Sequence, residues 1–171
     1  MAAVAPKSPK ILAMEPATGA PAVNDSAGWG AYLHISRDVV SVAAADADND
    51  TYRCVRLPSN AVVALIWIAN TAITGGTDYD LGIASVDKEF VATVLNVNAF
   101  LDAVDMSSAR VAKTQLIPET GADYVLTAPD KKLWELANLA ADPGGTLDLI
   151  FTGVTVGTAA GTITIDVGWS V

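Results

Sequence analysis

Thr162–Val171, TITIDVGWSV, sets Ile163, Ile165, Val167 and Trp169 in alternation with Thr162, Thr164, Asp166 and Ser170. A period of two sends one set to each face of an extended chain, which is the pattern of a half-buried strand. Upstream, Gly157–Gly161 makes a turn, and Thr146–Thr152 (TLDLIFT) points Leu147, Leu149 and Phe151 one way. Asp142-Pro143-Gly144-Gly145 is turn chemistry: proline presets φ, and glycine supplies positive φ without a steric cost. The same grammar recurs earlier. Thr51–Leu57 (TYRCVRL) closes on Pro58-Ser59-Asn60, and Thr74-Gly75-Gly76-Thr77 leads into Tyr79–Ala84 (YDLGIA). Ala61–Ala69 (AVVALIWIA) is apolar on both faces, with Val63, Leu65 and Trp67 alternating against Val62, Ala64, Ile66 and Ile68. That predicts a strand covered on both sides.

Short strands between Gly, Pro and Asx turns predict an all-β fold, an antiparallel β-sandwich or jelly-roll-like domain. Two stretches read less directly. Lys131–Leu139 (KKLWELANL) fits a helical stripe through Leu133, Leu136, Ala137 and Ala140, and a strand through Trp134 and Leu136; it is read as strand. Asn98–Asp105 (NAFLDAVD) is read as a short helix with Asn98 as its N-cap and Leu101 and Val104 on its buried face. It falls in a less regular insertion at about 86–118 within a body spanning 39–171.

Residues 1–38 form an extended N-terminal arm. Pro6, Pro9, Pro16 and Pro21 remove backbone donors and bar a regular helix. Its apolar residues still need a surface to cover, and Ile11, Leu12, Met14, Trp29 and Tyr32 are the candidate partner-binding residues. The arm docks on its own body, on a neighbouring subunit or on a larger partner.

Composition bounds the function. Hydrophobic residues make up 51% of the 171 and charged ones only 17%, below the roughly 25% of ordinary soluble domains. So few charges fit a chain that hides surface in an assembly, and a homo-oligomer, dimer or trimer, is expected. Ten basic and 19 acidic residues give a net charge of −9. Residues 1–37 carry +1 and residues 38–171 carry −10, so a phosphate backbone would be repelled by the body and direct nucleic-acid binding is not expected. The longest apolar run is far shorter than the ~20 residues that span a bilayer. No signal-type leader is visible, so synthesis in the cytosol and no membrane association are expected.

The chemistry-bearing residues do not assemble into a catalytic set, and no catalytic residue, metal ligand or cofactor is assigned. Asp46-Ala47-Asp48-Asn49-Asp50 resembles the start of a calcium loop, but the sixth and twelfth positions are Thr51 and Leu57 where glycine and glutamate are required. It is read as a solvated acidic loop. Asp78 and Asp80, i and i+2, are read as a solvent-facing pair rather than as the acid and base of a glycosidase. His34 is the only histidine and Cys54 the only cysteine; neither has a partner in sequence, and Cys54 is read as a buried inert thiol. Trp67 is read as core, and Trp134 and Trp169 as core or interface. Phosphate-binding glycine motifs are missing.

The order of segments carries a resemblance. DTYRCVRLPSNAVVALIWIANTAITGGTDYDLGIA (50–84) and LWELANLAADPGGTLDLIFTGVTVGTAAGTITIDVGWSV (133–171) resemble the small β-sandwich decoration (cement) proteins encoded among the head genes of tailed bacteriophages. There a strand ending in R-L-P precedes an apolar strand, a D-Y-D-L-G-I-A strand follows, and a last hairpin ends in an aliphatic strand. The resemblance covers residues 48–85 and 131–171, while the arm and 86–118 have no counterpart. It implies an oligomeric structural virion protein on the outer capsid surface that clamps neighbouring major capsid protein subunits. The alternative is a phage tail or fibre adhesin, or another carbohydrate-binding β-sandwich.

Overall fold

The computed structural model describes residues 33–87, 92–115, 124 and 130–171. These form eight strands and one short helix: β1 (His34–Val42), β2 (Asp50–Pro58), β3 (Val62–Asn70), β4 (Asp78–Val86), β5 (Ala92–Val104), β6 (Arg110–Gln115), α1 (Leu133–Leu136), β7 (Thr146–Thr155) and β8 (Gly161–Ser170). They make two four-stranded antiparallel sheets, ordered β1-β8-β3-β6 and β2-β7-β4-β5. Within them β1 pairs with β8, β2 with β7, β3 with β6 and β4 with β5. That nesting is a long antiparallel ribbon folded over on itself, the jelly-roll arrangement of eight strands. The β-sandwich predicted from the turn grammar is what the chain adopts.

The period-2 patterns fix the faces. Ile163, Ile165 and Val167 of β8 and Val40 and Val42 of β1 point between the sheets. Leu147, Leu149 and Phe151 of β7, with Tyr79, Leu81 and Ile83 of β4, meet them from the other side. Burying such side chains stabilises by roughly 1.5–3 kcal/mol each against leaving them exposed, and this stack is the core.

Four readings are corrected. Asn98–Asp105 is not a helix: residues up to Val104 belong to β5. Strand β5 carries an extra fold, because Leu81 pairs with Leu101 while Ile83 pairs with Asn96. Residues 97–100 therefore stand against Gly82 alone and double back over the sheet. The 86–118 stretch thus contributes β5 to one sheet and β6 to the other. Lys131–Leu139 is not a strand: Leu133–Leu136 is one helical turn, with the Glu135 carboxylate accepting the Lys132 N–H at 2.8 Å. Leu133, Leu136 and Ala137 all reach the core, which the i, i+3, i+4 stripe allows.

The third correction concerns Ala61–Ala69. A bulge between Val63 and Leu65 shifts the phase of β3, so Val63, Ile66 and Ile68 face the core together. Leu65, Trp67 and Ala69 lie on the outer face, half-buried, so Trp67 is not a core residue. The strands buried on both faces are β4 and β7 of the other sheet, where Asp80, Gly82, Ala84, Asp148, Ile150 and Thr152 point outward yet are covered. The fourth concerns a boundary: residues 34–38, counted with the arm in sequence, are the first half of β1.

Candidate partner-binding surface

Ile11, Leu12, Met14, Trp29 and Tyr32, the residues singled out for partner binding, lie outside the described residues. Within them, the features of note are two buried carboxylates on the outer faces of the sheets, each held by two cations. On the β1-β8-β3-β6 face, Asp166 of β8 is opposite Arg37 of β1. Arg37 donates side-on through Nε at 2.6 Å and Nη2 at 3.0 Å, and Lys113 of β6 closes the other side. The Asp166 side chain is 4% exposed, although its face of the sheet is the solvent side. Its carboxyl is held below the usual carboxylate range, chiefly by the Arg37 hydrogen bonds.

Around this triad the same face carries Ile35 and Val39 of β1, more than half exposed, and Val111 of β6, 91% exposed. Leu65 packs over Gly168, where any side chain would collide with it. The face is therefore mixed: aliphatic side chains in the open around a pinned ion triad. At its far end Asn70 ties β3 to the β5–β6 turn, donating to the carbonyls of Thr71, Met106 and Ser108 and accepting from Arg110. A depression of about 320 Å³ opens there, lined by Ala69, Thr71, Arg110, Val111 and Thr164 among others. Its one ionisable group is Arg110, so it holds no acid–base pair.

The other face repeats the device. Arg53 and Arg56 of β2 both donate to Asp148 of β7, at 2.6 to 3.2 Å. Residues three apart point to opposite faces of a regular strand. Here the irregularity between Arg53 and Arg56 brings both to one carboxylate. Burial pushes Asp148 up, and the two guanidiniums outweigh it and leave its carboxyl below the ordinary value.

The acidic loop is not simply solvated. Asp46 accepts the N–H of Ala43 at 2.7 Å and the hydroxyl of Tyr52 at 2.9 Å. Asp50 accepts the N–H of Ala47 at 2.8 Å, and Asp48 that of Val156 at 3.0 Å. Asp46 and Asp50 are acceptors within the β1–β2 turn, Asp48 ties that turn to the start of the β7–β8 turn, and Asn49 beside them sits at φ 71°. Converting all three to alanine is expected to cost about 2 kcal/mol, since the four hydrogen bonds, two of them exposed, are worth roughly 0.5–1 kcal/mol each and relief of mutual repulsion returns a few tenths. A urea midpoint unchanged in the triple variant would contradict this.

Asp80 is buried, not solvent-facing, and accepts the N–H of Ala103 at 2.9 Å. Burial raises its pKa against the pull of that donor. Its cross-strand neighbour Thr152 has a buried hydroxyl with no hydrogen-bond partner. His34 stacks on Trp169 at 4.5 Å. The Cys54 thiol donates to the Leu149 carbonyl, and burial pushes its pKa up to about 12, so it is not a thiolate at neutral pH. Trp134 and Trp169 pack half-buried against the core. Among the described residues no group of three or more His, Cys, Asp or Glu is placed to hold a metal, and no helix is long and apolar enough to cross a membrane. The outer-face ion triads were missed in sequence because their cations lie 53 to 129 positions from the carboxylate they hold.

These features define an eight-stranded jelly-roll sandwich whose outer faces carry pinned charges. No protein-family model matches the sequence, and no curated protein matches it. Among solved structures, the chain is similar to a chain of "Cyanophage Pam1 capsid asymmetric unit", with a TM-score of 0.52 and 15% identity, over 92% of this chain and 99% of that one. At that identity the likeness is one of fold.

Proposed function

We propose that this protein is a structural component of a bacteriophage virion that binds the outer capsid surface and stabilises contacts between major capsid protein subunits. The observation that carries the reading is the near end-to-end fold likeness to a chain of a phage capsid asymmetric unit, on a sandwich for which segment order had implied the same role. A fold alone does not assign a function, and the site chemistry is what supports a binding role. Asp166 and Asp148 on the outer faces are each held in a structural ion triad, and the Cys54 thiol is tied to a backbone carbonyl. A decoration protein needs contacts across subunit junctions, each of which can be weak when one oligomer holds several at once. The acidic body keeps particles apart in solution.

The arm is the clamp in this reading, through Ile11, Leu12, Met14, Trp29 and Tyr32. The test is co-sedimentation with empty shells assembled from the major capsid protein of the same phage. Full-length protein is expected to saturate the shells and raise their melting temperature. A chain lacking residues 1–32, cut before β1, is expected to keep the urea midpoint of the body and to lose shell occupancy at least tenfold. Full occupancy by the truncated chain would move the contact from the arm to the body, and failure of the full-length chain to bind shells would sink the proposal itself.

A further inference from the structure

The geometry points to β1 as a self-pairing edge, through which two copies join their β1-β8-β3-β6 sheets across a two-fold axis centred on Arg37. Among the described residues β1 pairs on one side only, with β8. That ladder runs from His34 to Val42 with no register shift, whereas each of the other inter-strand ladders is interrupted. The other edges are blunted in familiar ways: β2 is bulged and ends in Pro58, β5 doubles back, and β6 is short and carries Lys113. Strand β1 contains neither proline nor bulge.

The direction of its free groups follows from β8. The N–H of Thr71, which follows β3, donates to the Thr162 carbonyl, so the even-numbered residues of β8 bond towards β3 and the odd-numbered ones towards β1. By register, His34, Ser36, Asp38 and Val40 of β1 bond to β8. The backbone groups of Ile35, Arg37, Val39 and Ser41 point to the open edge. In agreement with that direction, the Val39 N–H donates to the side chain of Asp38 at 2.7 Å, a bond it exchanges for the Ile35 carbonyl of the second copy when the edge pairs.

The side chains then select the partner. Ile35-Ser36-Arg37-Asp38-Val39 reads nearly the same in both directions about Arg37. An antiparallel copy centred there sets Ile35 opposite Val39 of the second copy, and Val39 opposite its Ile35. Both are exposed in the single chain, at 58% and 55%, and aliphatic cross-strand pairs are what stabilises a ladder. On the inner face Ser36 stands opposite Asp38 of the second copy. The Ser36 oxygen already accepts the Trp169 indole N–H at 3.0 Å, so its hydroxyl proton is available for that carboxylate. The like charges at the axis are the two Arg37 side chains, and each is bound to its own Asp166. A second copy therefore fits this edge residue by residue. The contact is isologous and closes as a dimer, and it does not depend on the capsid reading.

The test uses the full chain. Sedimentation across a wide range of concentration is expected to show a dimer, and Ile35→Lys/Val39→Lys, which sets lysine against lysine twice, is expected to weaken it at least tenfold while the urea midpoint holds. Separately, Ile35→Cys/Val39→Cys is expected to oxidise to a covalent dimer whose peptide map links residue 35 of one copy to residue 39 of the other. A wild-type chain that stays monomeric, an oligomer indifferent to the two lysines, or a map without the 35–39 link would each overturn the inference.

Discussion

Gly82→Ala is expected to lower the stability of the domain by at least about 3 kcal/mol, at the upper end of what overpacking costs, or to prevent folding. Gly82 lies in the middle of β4, with its missing side chain on the outer side of the sheet. A Cβ there would run into the carbonyl oxygens of Asn96 and Val97. Those atoms are backbone, and they are not free to move. Asn96 donates from Nδ2 to the Leu136 carbonyl at 2.7 Å, which ties β5 to α1 just before the doubled-back part. Three residues on, the Ala99 carbonyl accepts the Tyr124 N–H at 2.8 Å, and Phe100 lies against the Tyr124 ring. Ile150, opposite Gly82 on the same face, is fully buried, so the face on which the new methyl would lie has no open space beside it either. Urea denaturation of the alanine variant is the measurement. An unchanged midpoint would mean that β5 does not cover Gly82. Alanine at Gly144, where φ is 68° but nothing lies within 4 Å, is the contrasting control for backbone strain alone.

The same doubled-back strand marks the limit of what the sequence discloses. Strands β2, β4, β7 and β8 were legible because each is bounded by turn chemistry, and β7 and β8 also keep an alternation in sequence. Asp142–Gly145 and Thr74–Thr77 are turns whose glycines do adopt positive φ, at Gly75, Gly144 and Gly145. Strand β5 was read as helix because its fold-back disrupts the period of two and leaves Leu101 and Val104 three apart. The phase of β3 was misread for the same reason, a bulge one residue after Val63. Helix α1 is a single turn, too short for a period of 3.6 to outvote an alternation. The outer-face triads depend on pairing between distant strands, and Arg53 and Arg56 share a carboxylate only because an irregularity turns both to one face. Periodicity reports the regular part of a sheet, while the bulges decide which charged residues meet.

The second large effect belongs to Asp148. Replacing it with asparagine is expected to cost about 3 kcal/mol near neutral pH, the lower end of what removing one partner of a buried ion pair costs, because Arg53 and Arg56 retain some access to water. Its side chain is 6% exposed and accepts from both guanidiniums, so the variant leaves two cations with one neutral acceptor. The pH dependence has a definite sign. The folded carboxyl lies below its unfolded value, so the stability it contributes is complete above the unfolded pKa, near ~3.9. That contribution is lost as pH falls through the lower, folded value. The gap between wild type and Asp148→Asn should therefore be constant from neutral pH down to about 5 and close progressively below about 4. Asp80 runs the opposite way: its folded pKa is raised, so its ionised form is disfavoured by the fold and acid relieves that cost. Because Asp80 is present in both chains, its effect cancels in the difference. Urea midpoints of the two proteins across this range decide the matter. A gap that stays the same down to the most acid conditions would show that Asp148 contributes by packing and not as a carboxylate held between two arginines.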